Sequence, residues 1–278
     1  MLHVVNSTDM NFQRSNKNAI VTMAIGERYS AKFRKVALPS FLAYAERHQM
    51  DVVLIEFPLD QSQHAQQRSP SWQKCLILNQ PWSSQYERII WIDADVVINP
   101  NAPNILDEAG HPWLIAATVN EAQLSDAAWV AFWEGREVPP GPRWLKPHQD
   151  IAAARAHRNR RMYFDDGHDV SYDIMIQGGV WVMSPKYHNK LLLKTYQHHS
   201  AHRWYEQTVL SKNILESGAF QEISPRYNWL FGFTVDSYVG AGEAIPRDYL
   251  WRIIRGEYNK AYFLHFCHEQ SWNVFDGF

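Results

Sequence analysis

Asp93-Ala94-Asp95 closes the apolar run Arg88-Ile-Ile-Trp-Ile and is the densest concentration of usable chemistry in the chain. In an extended strand alternate side chains share a face, so both carboxylates project together where the run ends. Two acids so placed repel each other unless a cation lies between them. Hard carboxylate oxygens suit Mg²⁺ or Mn²⁺, and such an ion can bridge a diphosphate. A strand end capped by two solvated acids has the same pattern, and the triplet alone leaves the two readings even.

Other residues able to do chemistry are scattered. Tyr29 follows Gly26 in a loop, Lys74 lies in Ser71-Trp72-Gln73-Lys74, and Gln177 precedes Gly178-Gly179. Glu206-Gln207 follow Arg203-Trp204, and His265 sits in the apolar run Ala261 to Phe266. Each has a structural reading. Tyr29 fits a core aromatic, Lys74 a surface lysine, the glycine pair a close backbone approach, Gln207 a solvent-facing amide, and His265 a satisfied core histidine.

The elements that must position them follow from periodicity. Ala19 to Met23 and Asp51 to Phe57 read as buried strands, with helical spacing between from about Ser30 to His48 that Pro39 should kink or divide. This β-α-β start predicts an α/β fold with a mostly parallel sheet and a ligand site at the strands' carboxyl ends. Residues 58–70 read as a loop and Trp72 to Leu78 as a short helix. Arg88 to Ile92, Trp113 to Val119, Gly178 to Met183, Phe220 to Ile223 and Ala261 to Phe266 are further strand candidates. Ser184-Pro185 opens a helix, and another runs from about Arg203 to Glu216 and closes at Gly218. Residues 120–172 are the least regular, with Pro139-Pro140-Gly141-Pro142 in their midst. Four arginines between Arg155 and Arg161 read there as a solvated helix face ahead of a clamp for phosphate or an acceptor.

With 278 residues and 46% hydrophobic content the chain can bury a large core, and we expect one domain over 1–278, with 120–172 as an excursion from the core 19–119 and 173–272. A net charge of −2 offers no footprint for nucleic acid. No apolar stretch approaches the ~20 residues that span a membrane. The two cysteines, Cys75 and Cys267, form no disulfide framework or zinc pattern, and the opening residues hold no apolar run of signal-peptide length. Both point to the cytoplasm and leave the Asn6-Ser7-Thr8 sequon without meaning. The 12 tryptophans fit a large core first and sugar-stacking faces second.

Taken in order, the segments resemble GT-A-fold glycosyltransferases. Arg88 to Ile98 (RIIWIDADVVI) resembles their metal-binding signature. Ala19 to Tyr29 (AIVTMAIGERY) resembles the first strand and nucleotide loop of glycosyltransferase family 8, the glycogenin-like enzymes, and Ser71 to Lys74 is similar to family 34, the α-galactosyl- and xylosyltransferases. Gln177 to Met183, Glu206 to Leu210 and His265-Phe266 also match, so the resemblance spans 19 to about 272 and leaves 120–172 unmatched. It implies a GT-A-type nucleotide-diphospho-sugar transferase fold with helices flanking the sheet. It also implies Mn²⁺ or Mg²⁺ held by Asp95 and His265, with Asp93 a third ligand or bound to ribose. Met23, Ile25, Gly26 and Tyr29 would line the base pocket, and Lys74 would meet the donor's phosphate or sugar. Ala94, Asp173, Gln177 and Gly178 would contact the donor, and Glu206 and Gln207 would lie beneath the anomeric carbon. The implied reaction moves a hexose or pentose from a UDP-sugar to a hydroxyl of a carbohydrate or other acceptor, with retention.

The chain departs from the pattern at its end. Where the glycogenin-like enzymes place a diphosphate lysine it has Ser271, beside Trp272, so Arg252, Arg255 or His268 would have to substitute. That keeps a carbohydrate-binding or catalytically degraded transferase-fold protein in view. A haloacid-dehalogenase-type phosphotransferase fits less well, since its Asp-X-Asp lies on the first strand and Val97 stands where it needs Thr.

Overall fold

A computed structural model describes residues 1–5, 12–125, 127–129, 151–200, 202–232, 246–267 and 269–276. Asn6-Ser7-Thr8, Pro139-Pro140-Gly141-Pro142 and His268 lie outside the described residues. The strands in chain order are β1 (Leu2–Val5), β2 (Asn18–Met23), β3 (Met50–Ile55), β4 (Arg88–Ile92), β5 (Val96–Ile98), β6 (Ile115–Val119), β7 (Ile176–Met183), β8 (Phe220–Glu222), β9 (Trp229–Leu230) and β10 (Phe263–His265). Seven form one sheet in the order β1-β3-β2-β4-β7-β6-β8, and three form a smaller one, β5-β10-β9. Pairing from β1 through β4 is parallel, as is β6 with β8, while β7 runs antiparallel to both its neighbours. The mostly parallel α/β sheet expected from the β-α-β start is what the chain forms.

Alternation divides the large sheet's residues between two cores. Ile20, Val52, Leu54, Ile90, Ile92, Val180 and Val182 face one side, against Phe33, Phe41 and Tyr44. Those aromatics belong to α1 (Glu27–Val36) and α2 (Leu38–Arg47). Ala19, Val21, Val53, Ile55, Ile89, Trp91, Trp181 and Met183 face the other, against Trp72, Trp82, Leu192, Val209 and Leu210. A sheet covered on both faces needs apolar residues at every position, and β3 and β7 are buried throughout. Trp72, Trp82, Trp129 and Trp181 are fully buried, so the core explanation of the tryptophan content holds for them. At ~150–250 Å² per large aromatic, each supplies several kcal/mol of hydrophobic stabilisation.

Pro39 divides the first helical stretch as expected: α1 ends at Val36, and Pro39 takes the first turn of α2, where its missing N–H is harmless. Residues 151–165 form α3 (Ile151–Asp165), inside the stretch read as irregular. Its arginines correct the solvated-face reading in part. Arg155 donates to the carbonyls of Glu121 and Leu124, and Arg158 pairs with Glu121 at 2.8 Å. Arg160 and Arg161 do face solvent, beside Asp173 and Asp165.

Three further long helices are α4 (Pro185–His198), α5 (Gln207–Glu216) and α6 (Arg247–Lys260), with single helical turns at Ile105–Glu108 and Glu269–Trp272. The helix expected from Arg203 starts only at Gln207, because Tyr205 adopts a left-handed φ of 57° that no α-helix accepts. The segment Trp72 to Leu78 is helical as expected, within a 3₁₀ stretch Pro70–Asn79. Residues 63–66 add a helical turn to the expected loop.

Candidate active site

The Asp-X-Asp triplet lies in a turn, not on an extended strand end, and this turn carries the chain from the large sheet into the small one. The backbone N–H of Asp93 donates to the Gly179 carbonyl at 2.8 Å, and Val96 N–H reaches back to the Asp93 carbonyl at 3.3 Å. Beyond the turn, β5 pairs antiparallel with β10, matching Val96 to His265. The N–H of Phe266 then donates to the Asp95 carbonyl at 2.9 Å. Sheet register thus brings residue 265 beside residue 95.

Among the described residues, Asp93, Asp95 and His265 offer ligand atoms all within 4.8 Å of one another. His265 Nε2 lies 3.2 Å from Asp95 Oδ1 and 3.9 Å from Asp93 Oδ2. On the ring's other side, Nδ1 is 2.7 Å from Asn228 Oδ1, an amide oxygen that only accepts, which places the proton on Nδ1 and leaves Nε2 as the ligand atom. Two carboxylates and an imidazole with an outer partner fit a divalent cation such as Mn²⁺ or Mg²⁺. Gly179 permits the arrangement, because a Cβ there would meet His265 Cε1 at 2.4 Å.

Lys74 organises the other side. Its ammonium lies 3.0 Å from Asp93 Oδ1, 3.0 Å from Glu206 Oε1 and 3.0 Å from the Gly178 carbonyl. The Trp91 indole N–H adds a bond to Asp93 Oδ1 at 2.7 Å. Lys74 is therefore no free surface cation: it is 4% exposed and bridges two acids. Burial would lower its pKa, but Asp93 and Glu206 together raise it. Burial raises the Asp93 carboxyl, and Asp95 adds to that, against the pull of Lys74 and His265. For His265 burial acts downward, but Asp95 and Asp93 carry it above its usual value. Glu206 Oε2 is buried with no hydrogen-bond partner among the described residues, so one oxygen of this carboxylate is held and the other awaits one.

A cleft of about 340 Å³ opens at this point, lined by Met23, Ile25, Tyr29, Pro70, Ser71, Lys74, Trp91, Asp93, Ala94 and Asp95. A second hollow of about 390 Å³ shares Ile25 and Pro70 with it. Gly26 caps α1 with a φ of 93°, the left-handed conformation in which a side chain is strained, and the loop it turns delivers Tyr29 to the wall. The Tyr29 hydroxyl is kept firmly protonated by burial, then by Asp95 and Asp93.

Of the residues singled out in the sequence, Met23, Ile25, Tyr29, Lys74, Asp93, Ala94 and Asp95 line the cleft. His265 joins through Asp95, and Glu206 and Gly178 join through Lys74. Gln177 instead bonds Asn120 in the buried interior. Gln207 is half-buried at the start of α5, and Asp173 is exposed and paired with Arg160. Arg252 and Arg255 are exposed on α6, and neither lines the cleft. Trp272 is buried against Phe266 and Phe275.

Sequence reasoning missed Asn228 and the role of Trp91. The i, i+2 spacing of Trp91 and Asp93 carried a usable signal, since those positions share a strand face. Asn228, on a 3₁₀ turn before β9, carried none.

No protein-family model matches the chain, and no curated protein matches it. Among solved structures it is similar to a glycosyltransferase involved in the glycosylation of the major capsid of PBCV-1. That match has 14% identity and a TM-score of 0.51, and covers 92% of this chain and 96% of that one. It is also similar to the WbbM bifunctional glycosyltransferase at 12% identity and a TM-score of 0.52. Here 95% of this chain is covered but only 50% of the other, so the chain spans half of that longer protein. At such identities the likeness is one of fold: the chain has the GT-A-type α/β fold of glycosyltransferases.

Proposed function

We propose that this chain is a metal-dependent glycosyltransferase that moves a hexose or pentose from a UDP-sugar to the hydroxyl of a carbohydrate or similar acceptor. The observation that carries the reading is the convergence of Asp93, Asp95 and His265 within 4.8 Å of one another, beside the cleft lined by Tyr29. A divalent ion, Mn²⁺ or Mg²⁺, would supply stabilisation of the negative charge that develops on a leaving nucleoside diphosphate.

The chain's own groups do the rest. Tyr29, Met23 and Ile25 offer an apolar wall for the base. Lys74 holds Asp93 and Glu206 at fixed positions on either side of its ammonium. The unpartnered Oε2 of Glu206 is suited to accept a sugar hydroxyl or to face an oxocarbenium-like carbon. Gln207, one residue on, remains a catalytic candidate beside Glu206, and Gln177, Gly178, Gly26 and Asp173 remain donor-side candidates. Retention of configuration rests on the family resemblance alone. Two free thiols suit a reducing, cytoplasmic setting, and no described helix is long and apolar enough to cross a membrane.

Calorimetry with UDP tests this. Binding should require Mn²⁺, and should lose most of its heat in EDTA or in Asp95→Ala. Equal binding in all three conditions would reject the metal centre. Ser271, where a diphosphate lysine was expected, favours the second reading, a transferase-fold protein that binds carbohydrate without a nucleotide donor. A chain that binds oligosaccharide but ignores UDP with Mn²⁺ would establish that instead.

A further inference from the structure

A second cluster of metal-ligating groups lies outside the cleft. Asp166, His168 and His202 offer ligand atoms within 4.8 Å of one another, and all three residues are half-buried. Asp166 and His168 flank Gly167 in the turn that ends α3, and His202 lies in the segment leading to Glu206 and α5.

Each group is held as a ligand needs to be. Asp166 Oδ1 accepts from Arg203 N–H at 2.9 Å and Oδ2 from the Thr208 hydroxyl at 2.5 Å, so the carboxylate is oriented yet keeps lone pairs. His202 Nδ1 lies 3.2 Å from the Asp166 carbonyl, which only accepts, leaving Nε2 as the open nitrogen. Its ring stacks on Trp72 at 6.2 Å and on His168 at 5.4 Å. His168 Nε2 is buried with no hydrogen-bond partner among the described residues. A buried imidazole nitrogen without a partner is a defect unless something binds it.

We propose that Asp166, His168 and His202 form a structural binding site for a divalent transition metal, with Zn²⁺ the best match to two imidazoles and a carboxylate. Ligand atoms in a tetrahedral zinc site are roughly 3.3 Å apart, given bonds of ~2.0–2.1 Å, and those of this cluster lie within 4.8 Å of one another, so an ion would draw them closer. The ion clips the turn after α3 to the segment before α5. It thereby fixes the approach of the chain to Glu206 without touching the reaction.

The test uses the full-length, untagged chain carrying Asp95→Asn, which disables the centre beside the cleft. Zn²⁺ titrated into it by calorimetry should bind with one equivalent and raise its melting temperature, while Mg²⁺ should do neither. In the same background His168→Gln and His202→Gln should each weaken Zn²⁺ by more than the ~10–100-fold that even an outer-sphere partner is worth. Because His202 also packs on Trp72, His168→Gln is decisive, with circular dichroism confirming that it is folded. No Zn²⁺ uptake by the Asp95→Asn chain, or a His168→Gln variant that binds as tightly as its parent, overturns the site.

Discussion

At the scale of single residues, the charge pattern around Lys74 decides how the site holds together. One buried ammonium serves two acids from distant parts of the chain, Asp93 and Glu206. Removing one member of a buried ion pair strands the others in low dielectric, which costs about 3–5 kcal/mol. Lys74→Met should therefore destabilise the fold by that order, measured by urea unfolding, and a loss below ~1 kcal/mol would mean the acids are adequately solvated without it. Gly179 is the steric counterpart. A methyl there would lie 2.6 Å from His265 Nδ1, whereas one at Gly178 would lie 3.2 Å from Glu206 Oε1. Gly179→Ala should lose ~1–3 kcal/mol to overpacking and most of its Mn²⁺ affinity, with Gly178→Ala milder on both. Equal Mn²⁺ affinity in the two variants, by calorimetry, would reject the close fit. These partnerships were only half legible in the sequence. Asp93 and Asp95 could be picked out as an acid pair suited to a cation, and His265 only through the family resemblance, since by itself it read as a core histidine. That Lys74 meets Glu206 could not, since 132 positions separate them and nothing local encodes the meeting.

At the scale of elements, periodicity served where strands are buried on both faces and failed where elements are short or held by polar contacts. β2, β3 and β4 were legible as continuous apolar runs, and Pro39 and Gly218 marked helix limits by fixed or left-handed φ. β1 was not legible: its four residues pair only with β3, and its burial is incomplete. The helix α6 was missed although Leu250, Ile253, Ile254 and Tyr258 recur at helical spacing and pack against the core, a stripe that the sequence did offer. The start of β3 shows polar anchoring at its clearest. Fully buried Asp51 accepts from the backbone N–H groups of Ser15 and Asn16, from the Asn16 amide and from the Tyr86 hydroxyl. Burial alone would raise its carboxyl, but these hydrogen bonds outweigh that and hold it below the usual range. A depressed folded value means the ionised form stabilises the fold. That contribution is fully present above the unfolded value near ~3.9 and is lost as pH falls through the folded one. Asp51→Asn should thus cost about 2 kcal/mol at neutral pH, the scale of hydrogen bonds to a charged group. The gap to the parent should shrink on acidification below about pH 4. Urea curves separated by the same interval at neutral pH and at pH 3 would show that the charge is not what matters.

At the scale of the whole molecule, the site is a seam. Asp93 is anchored to β7 of the large sheet, His265 belongs to β10 of the small one, and Asp95 bonds across to Phe266. Tyr29 comes from a third place, the first turn of α1, just after the loop that follows β2. We propose that residues 1–278 act as one transferase domain for this reason: the donor and its cation would bind only where both sheets and the first loop meet. A ligand that binds the native state alone stabilises it by mass action, about 2.7 kcal/mol at one hundred times its dissociation constant. Because the contacts span the seam, that stabilisation should be distributed, not local. Hydrogen exchange with saturating UDP and Mn²⁺ should slow amides in residues 23–29, in the 93–96 turn and in 263–266 together, by similar factors. Mn²⁺ alone should protect only the last two, since in the proposed site Tyr29 would meet the base and not the ion. In Asp95→Ala all three segments should exchange as in the free chain. Protection confined to 23–29 with UDP, equal with and without Mn²⁺, would separate nucleotide binding from the acid pair. The seam would then be a feature of folding and not the device that couples donor, cation and protein.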